Sequence, residues 1–175
     1  EKNSIKVSFT FTGDIIHYNS STGQSTGNHS ADIWIKTTDV TIPKNVTVKY
    51  ITDLMLYNNG IEFDATDGTY ISKVKIPNTN TWLGEFDNGQ NSGWMYRLNG
   101  LIANEGYATR VLKNGDTILW FYTDDYKKET GYEGGWDIVN GGGTVEEVKN
   151  VTTDTKSGTT TAPTEVKVSE KTNAD

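Results

Sequence analysis

The chain has 175 residues, a formal net charge of -7, 34% hydrophobic residues and no cysteine. This length favours one domain followed by a further segment. The acidic balance, without clustered Lys and Arg, argues against nucleic acid and anionic membranes as partners. The lack of cysteine excludes disulfides, thiolate chemistry and cysteine-ligated metals. No apolar run is long enough to span a membrane.

The first segment with a clear pattern is residues 5–12, where apolar and polar residues alternate without error. Strict alternation is typical of a strand with one buried face. The apolar positions are Ile5, Val7, Phe9 and Phe11. Residues 17–30 are mostly Ser, Thr, Asn and Gly, which predicts a loop. Residues 31–42 predict a second strand.

The next segment has two competing interpretations. Asn45 could cap a helix running to about Tyr57, with residues 58–60 (Asn-Asn-Gly) as its stop. Val48, Ile51 and Met55 would then share its buried face, with Leu54 beside them. The alternation of Val46, Val48 and Tyr50 favours a strand instead.

Three short extended pieces follow. Residues 61–63 predict a short strand and residues 64–68 a turn. Residues 70–76 predict a strand with Tyr70, Val74 and Ile76 on one face. Residues 82–86 form a third extended piece.

Residues 91–126 hold the strongest apolar signal in the chain. Trp94, Tyr96 and Leu98 alternate with polar or flexible residues, and Asn99-Gly100 marks a turn. A second turn at residues 114–115 (Asn-Gly) precedes six apolar or β-forming residues at 117–122. A run without alternation indicates a strand covered on both faces, hence a central strand.

The same region carries a family resemblance. The motif NGQNSGWMYRLNG (88–100), then GY (106–107) and LKNGDTILWFYTDDY (112–126), resembles the transcobalamin-like C-terminal domain of Gram-positive cell-surface proteins. That family is similar to the small β-domain of the cobalamin carriers transcobalamin and intrinsic factor. The resemblance implies a mainly β (α+β), β-grasp-like sheet with one covering helix, which selects the helix near residues 46–58. It implies no particular ligand.

We therefore expect a β-grasp-like domain at residues 4–130. We interpret residues 131–175 as a Gly/Thr-rich linker, with Val166 and Val168 as a candidate start of a further domain. The resemblance implies an extracellular, cell-wall-associated location, and we expect the chain to be a segment of a longer protein whose other domains are partners.

Catalysis is not expected. Nucleophilic triads need a base beside Ser or Cys, and the chain has two His and no Cys. Ser92, in the sequence Asn-Ser-Gly, lacks a strand-elbow-helix context. Neighbouring acids such as Asp124-Asp125 point to opposite sides of a strand. We predict that the protein is not an enzyme and uses no cofactor.

A metal site is a separate hypothesis. Asp14, His17 and His29 would converge if the 17–30 loop folds back, giving nitrogen and oxygen ligands suited to zinc or another transition ion. The competing interpretation is two solvent-exposed histidines flanking a polar loop.

A ligand site at the ends of the central strands is the third hypothesis, because binding groups often lie on loops and aromatic faces bind rings. The predicted ligand-binding residues are Asn88, Gln90, Asn91, Ser92, Trp94, Tyr96, Asn99 and Tyr107. The polar ones are equally typical of turns, and the aromatic ones of a core.

Two functions are consistent with these patterns. The first is a non-catalytic module that binds a soluble small ligand, corrinoid-like or a glycan. The second is a structural or adhesive spacer that contacts cell-surface or host proteins at the cell wall. Exposure of Trp82, Trp94 and Tyr107 would favour the first function, and their burial the second.

Overall fold

The computed structural model describes residues 3–30, 32–103 and 105–126. The predicted linker at 131–175 and the candidate domain start at Val166 and Val168 lie outside the described residues. The elements, in chain order, are β1 (Ser4–Gly13), β2 (Tyr18–Asn19), β3 (Gln24–Ser25), β4 (Asp32–Pro43), α1 (Val48–Asn58), β5 (Phe63–Thr66), β6 (Tyr70–Lys75), β7 (Trp82–Gly84), β8 (Gly93–Leu98), β9 (Leu101–Ile102) and β10 (Thr117–Thr123).

A five-stranded sheet in the order β4-β1-β10-β8-β9 forms the centre of the fold. Its two middle strands, β1 and β10, are parallel, and the other pairs in this sheet are antiparallel. A three-stranded sheet, β5-β6-β7, and the β2–β3 hairpin are separate. The predicted mainly β class with one helix is confirmed for the described residues.

The sequence patterns explain the central pair. Phe9 and Phe11 of β1 are fully buried in the main core, as their alternation predicts. All seven residues of β10 are buried. A strand with neighbours on both edges and cover on both faces needs an unbroken apolar run, and residues 117–122 supply it.

The helix α1 begins at Val48, so the predicted cap at Asn45 is wrong. Asn45 instead takes a left-handed φ of 64° in the preceding turn. The first amides of the helix are satisfied by chain carbonyls rather than by a capping side chain: Val48 N donates to Arg110 O at 2.9 Å and Lys49 N to Tyr107 O at 2.7 Å.

The buried face and the end of α1 agree closely with the sequence pattern. The buried residues of the helix are Val48, Ile51, Thr52, Met55 and Leu56. Leu54, expected beside this face, is half-buried at its margin. The predicted stop is confirmed: the side-chain amide of Asn59 donates to Met55 O at 2.8 Å, and Gly60 takes a φ of 69°.

The short elements differ more from the predictions. Strand β5 lies two residues later than predicted, and the turn is confined to Asp67-Gly68 and its neighbours. In β6, Val74 is buried as predicted, but Ile71 is buried and Tyr70 exposed, opposite to the prediction at that end of the strand. The cause is a bulge: the pairing steps from Asp64↔Lys73 to Ala65↔Ile71, which leaves an extra residue in β6 and switches its inward face.

The polar segment 17–30 also contains the β2–β3 hairpin, where a loop alone was predicted. Two-residue strands of polar residues carry no alternation signal, so the sequence pattern could not show them. No helix among the described residues is long and apolar enough to cross a membrane.

Candidate functional site

Two aspartates meet at one edge of the five-stranded sheet. Asp14 directly follows β1, and Asp124 directly follows β10. Because these strands are parallel neighbours, their carboxyl ends lie side by side. Both residues are buried, Asp14 with 0% and Asp124 with 6% of its surface exposed.

Two histidines from the segment around the β2–β3 hairpin reach the same point. His17 precedes β2 and His29 follows β3, so the closing of the hairpin carries both back to the sheet edge. Their side chains are 5% and 2% exposed, and the ring centres are 5.1 Å apart. The interpretation of two solvent-exposed histidines is therefore wrong, because the hairpin folds back over the ends of β1 and β10.

We call Asp14, His17, His29 and Asp124 the Asp/His cluster. One ligand atom from each residue can be chosen so that all lie within 4.8 Å of one another. His17 Nε2 lies 3.2 Å from Asp14 Oδ2 and 3.3 Å from Asp124 Oδ1. His29 lies between the same carboxylates, with Nδ1 2.5 Å from Asp14 Oδ2 and Nε2 3.5 Å from Asp124 Oδ2.

A second layer of contacts orients these groups. Asp14 Oδ1 accepts hydrogen bonds from the amides of Ile15 and Ser30, each at 2.8 Å. Burial by itself raises the pKa of Asp14, but the hydrogen bonds from His29 and these two amides outweigh it and hold the pKa below the ordinary value. Asp14 is therefore an ionised carboxylate at neutral pH, with Oδ2 facing the cluster.

Ser25 holds the opposite side of the cluster. Its hydroxyl donates to Asp124 Oδ2 at 2.5 Å, and its oxygen lies 2.9 Å from His17 Nδ1. The amide of Gly27 also donates to it at 2.9 Å. Ser25, His17 and Asp14 are in contact, as in a nucleophilic triad, but the hydroxyl hydrogen is directed to Asp124 and not to histidine. In this arrangement the Ser25 hydrogen is bonded to Asp124, and His17 is not its acceptor.

A polar cleft opens next to the cluster and shares Asp124 with it. Its volume is about 510 Å³. The hairpin forms one wall, and the turn at 88–91 with the end of β10 forms the other. The lining residues are Tyr18, Gly23, Gln24, Ser25, Gly27, Asn88, Gly89, Gln90, Asn91, Asp124 and Asp125.

Three of the predicted ligand-binding residues line this cleft: Asn88, Gln90 and Asn91. Asn88 is buried and uses its side chain internally, accepting from His17 N at 2.7 Å and donating to Ile15 O at 3.0 Å. Asn91 is half-buried, and its amide nitrogen lies 3.4 Å from Asp125 Oδ1. Gln90 is exposed at the rim.

Ser92 and Trp94 belong to the framework beneath the cleft. The Ser92 hydroxyl donates to Gly89 O at 2.8 Å and accepts from Tyr122 at 3.0 Å. Trp94 is half-buried, packs against Phe11 with ring centres 5.2 Å apart, and donates from Nε1 to Leu83 O at 2.9 Å. Neither residue lines the cleft, and their polar atoms are bonded within the chain.

The remaining predicted residues lie away from the cleft. Tyr96 is 6% exposed and donates to Glu105 O at 2.7 Å. Tyr107 is 2% exposed and donates to Asp53 at 3.1 Å. Both rings are core residues and not open faces, which corrects the prediction. Asn99, with a φ of 55°, forms the turn at the opposite end of β8.

Asp124 is the residue of the cluster that the sequence patterns missed. It was considered only with Asp125, as a pair of adjacent acids. The available signal was its position directly after the central apolar run, matched by Asp14 directly after the first strand. In a fold where these two strands are parallel neighbours, both acids are expected at one edge.

Comparisons with known proteins give distant similarities. A family described as "Domain of unknown function (DUF4430)" matches residues 45–124. The match includes Asp124 but not β1, Asp14, His17 or His29. No curated protein matches the chain in sequence.

Among solved structures, the crystal structure of haptocorrin in complex with Cbi is similar over 69% of this chain and 25% of that chain, with 15% identity and a TM-score of 0.45. The chain thus spans about a quarter of haptocorrin. A distant similarity to a protein of the transcobalamin family is found, and the closer resemblance to cell-surface domains stays a prediction.

Proposed function

We propose that the described domain is a non-catalytic module that binds a small polar ligand, a saccharide, in the cleft between the β2–β3 hairpin and the turn at 88–91. The cleft itself is the observation that carries this proposal. Its volume of about 510 Å³ falls in the range of small-molecule sites, roughly 300–1,000 Å³.

The chemistry of the lining supports a ligand rich in hydroxyl groups. Asp125 supplies a carboxylate that accepts hydrogen bonds, and Gln90 supplies an amide that both donates and accepts. Tyr18, 42% exposed at the rim, offers a ring face for stacking against the apolar face of a sugar. A corrinoid fits this lining poorly, since a large ring with apolar faces would meet mostly amides, glycines and carboxylates.

The non-catalytic part of the proposal is supported by the hydrogen bonds of Ser25. Its hydroxyl hydrogen is committed to Asp124 at 2.5 Å, and its oxygen accepts from Gly27 N at 2.9 Å. The Ser25 hydrogen is therefore not shared with His17, the base that a nucleophilic serine would need.

The location of the module is also part of the proposal. We place it outside the cell, as one part of a longer surface protein, and the support is the absence of cysteine, the acidic balance and the family resemblance of residues 88–126.

An NMR titration tests the proposal. The ¹⁵N-labelled full chain is titrated with glucose, galactose, N-acetylglucosamine and cellobiose. With at least one of them, we expect saturable shifts confined to amides of residues 18–27, 88–91 and 124–125. Tyr18→Ala is expected to weaken that binding about five- to tenfold, since a stacked ring contributes about 1 kcal/mol.

Tyr57→Ala is the matched control, because Tyr57 is 80% exposed at the far end of α1. It should leave the dissociation constant unchanged. If none of the four sugars shifts these amides, or if the shifts are scattered over the surface, the saccharide proposal is wrong.

A structural or adhesive spacer is the second candidate. The burial of Tyr107 and the partial burial of Trp82 and Trp94 favour it, because exposed aromatics were the expected mark of a ring-binding site. A negative sugar titration together with specific capture of cell-wall protein fragments would select it.

A further inference from the structure

We propose that the Asp/His cluster binds one divalent transition-metal ion of the zinc type, which fixes the β2–β3 hairpin against the ends of β1 and β10. This goes beyond the saccharide proposal, because the ion would occupy the buried cluster and not the cleft. The ligands are two imidazole nitrogens and two carboxylate oxygens, from Asp14, His17, His29 and Asp124.

The spacing of the ligand atoms fits four-coordinate binding. Zinc lies about 2.0–2.1 Å from nitrogen and oxygen ligands, so neighbouring ligand atoms of a tetrahedral site are about 3.3–3.4 Å apart. His17 Nε2 is 3.2 Å from Asp14 Oδ2 and 3.3 Å from Asp124 Oδ1. These two edges already have the required length.

His29 completes the set after a small movement. Its Nδ1 lies 2.5 Å from Asp14 Oδ2, the distance of a hydrogen bond. The two atoms have to separate by about 0.8 Å to reach the distance between neighbouring ligand atoms of a tetrahedral zinc site. His29 lies in the segment between β3 and β4, outside both strands. A ring rotation or a slight shift of this segment is sufficient.

The hydrogen bonds around His17 favour a cation between its Nε2 and the carboxylates of Asp14 and Asp124. The Ser25 hydroxyl has one hydrogen, and it is donated to Asp124 Oδ2. The contact at 2.9 Å between Ser25 Oγ and His17 Nδ1 therefore needs the hydrogen on Nδ1. His17 Nε2 faces two carboxylate oxygens, Asp14 Oδ2 at 3.2 Å and Asp124 Oδ1 at 3.3 Å, and a cation bound between these atoms would stabilise them.

The outer contacts resemble those of built metal sites. In such sites a ligating histidine donates its second ring hydrogen to a neighbouring group, and ligating carboxylates are held by hydrogen bonds. Here His17 has Ser25 at its second nitrogen, and Asp14 has the amides of Ile15 and Ser30 at its second oxygen. In His17 and Asp14, one polar atom is thus held by an outer contact while the other faces the cluster.

Charge and donor type identify the class of ion. Two carboxylates and two neutral imidazoles bring two negative charges into a buried site, and one divalent ion balances them. Imidazole nitrogen suits zinc, cobalt, nickel and copper, whereas calcium and magnesium prefer an all-oxygen set.

The first test uses the full 175-residue chain after removal of metal with EDTA and dialysis. One equivalent of Zn²⁺ is expected to bind with a dissociation constant below about 1 μM and to raise the melting temperature by about 5–10 °C. Co²⁺ should give the intense visible absorption of a tetrahedral site. Ca²⁺ at the same concentration should change neither property.

The second test uses variants. His29→Ala is expected to abolish the cobalt absorption and the gain in melting temperature, while Asp64→Asn, an exposed aspartate on β5, should keep both. The variants are compared by far-UV circular dichroism, and the cobalt spectrum of the unmodified chain remains decisive if His29→Ala is unfolded.

A plain hydrogen-bonded ion network is the result that would overturn the proposal. In that case neither EDTA nor Zn²⁺ changes the melting temperature, or His29→Ala and Asp64→Asn respond equally. No sugar is present in either test, so this failure is distinct from a failure of the saccharide proposal.

Discussion

The indole nitrogen of Trp120 donates a hydrogen bond of 2.9 Å to the hydroxyl of Thr52. This bond joins the centre of α1 to the central strand β10, and both residues are buried, with 3% and 0% exposed. The helix is therefore held on the sheet by one directional contact in addition to apolar packing.

Thr52→Val should remove the acceptor while keeping the shape of the side chain. A buried N–H without a partner costs about 1–3 kcal/mol, so we expect the free energy of unfolding to fall by that amount. Urea denaturation measures it. Thr52→Ser is the control. It loses a methyl group but keeps the hydroxyl, so it should keep the hydrogen bond from Trp120. Equal stability of Thr52→Val and the unmodified chain would show that the bond contributes nothing.

Trp94→Ala should be strongly destabilising. The ring packs against Phe11, Trp34 and Tyr122, with ring centres 5.2, 5.6 and 5.3 Å away. Removing it leaves a large cavity and takes the indole donor from Leu83 O, and we expect a loss of about 3–5 kcal/mol in urea unfolding. Trp82→Ala, the same truncation at a tryptophan that packs against neither hydrophobic cluster of the described residues, should cost less than half as much. A loss below about 2 kcal/mol for Trp94→Ala would contradict its role in the core.

Gly13→Ala should also destabilise the fold. A Cβ at Gly13 would overlap with the indole of Trp34, so the ring or the end of β1 has to move, at a cost of about 1–3 kcal/mol. Because Asp14 is the next residue, zinc affinity should fall as well. Gly106→Ala is the control, since a Cβ there meets its nearest neighbour, Thr69 O, at an ordinary 3.8 Å. A stable Gly13→Ala variant with unchanged zinc binding would contradict this interpretation.

Alkaline pH should weaken the fold through buried tyrosines. Burial raises the pKa of Tyr96 to about 12, and burial also raises the pKa of Tyr107 and Tyr122. An unfolded tyrosine titrates near pH 10. The folded state holds the proton more tightly, so this contribution to stability is complete below about pH 10 and is lost as the pH rises towards 12.

Urea unfolding between pH 8 and 11 measures this effect. Above pH 10, we expect the free energy of unfolding to fall by about 1 kcal/mol per pH unit for each such tyrosine. Tyr96→Phe keeps the ring and removes the ionisable group, so its decline should be smaller by one tyrosine. An identical pH profile for Tyr96→Phe would show that Tyr96 titrates normally.

Local patterns in the sequence were sufficient to predict the central strands, whereas the helix was chosen over a strand only through the family resemblance. Alternation places Phe9 and Phe11 in the core, the apolar run places β10 at the centre, and Asn99-Gly100 forms the predicted turn. The bulge in β6 was not predictable in this way, because it depends on how β5 pairs with it. The switch from Tyr70 to Ile71 as the inward residue follows from that pairing and not from local alternation.

Local patterns also predicted only part of the Asp/His cluster. Asp14, His17 and His29 lie within 16 residues of one another, and a folded-back loop was enough to bring them together as a hypothesis. Asp124 required knowledge of a pairing between distant strands, illustrated by the hydrogen bond of 2.6 Å from Thr12 to Trp120 O, 108 residues apart. A pairing between strands so far apart in the sequence produces no local pattern from which it could be predicted.

The parallel pairing of β1 with β10 also sets the order in which the chain can fold. During synthesis, β1 and its antiparallel neighbour β4 appear early, but the central partner appears 108 residues later. At a synthesis rate of about 5–20 residues per second, Phe9 and Phe11 wait roughly 5–20 s before β10 is available. Asp124 is then the last of the four cluster residues to be synthesised. A nascent chain of this type depends on staying unfolded until its distant strand emerges, so truncation before Asp124 should yield an aggregation-prone product.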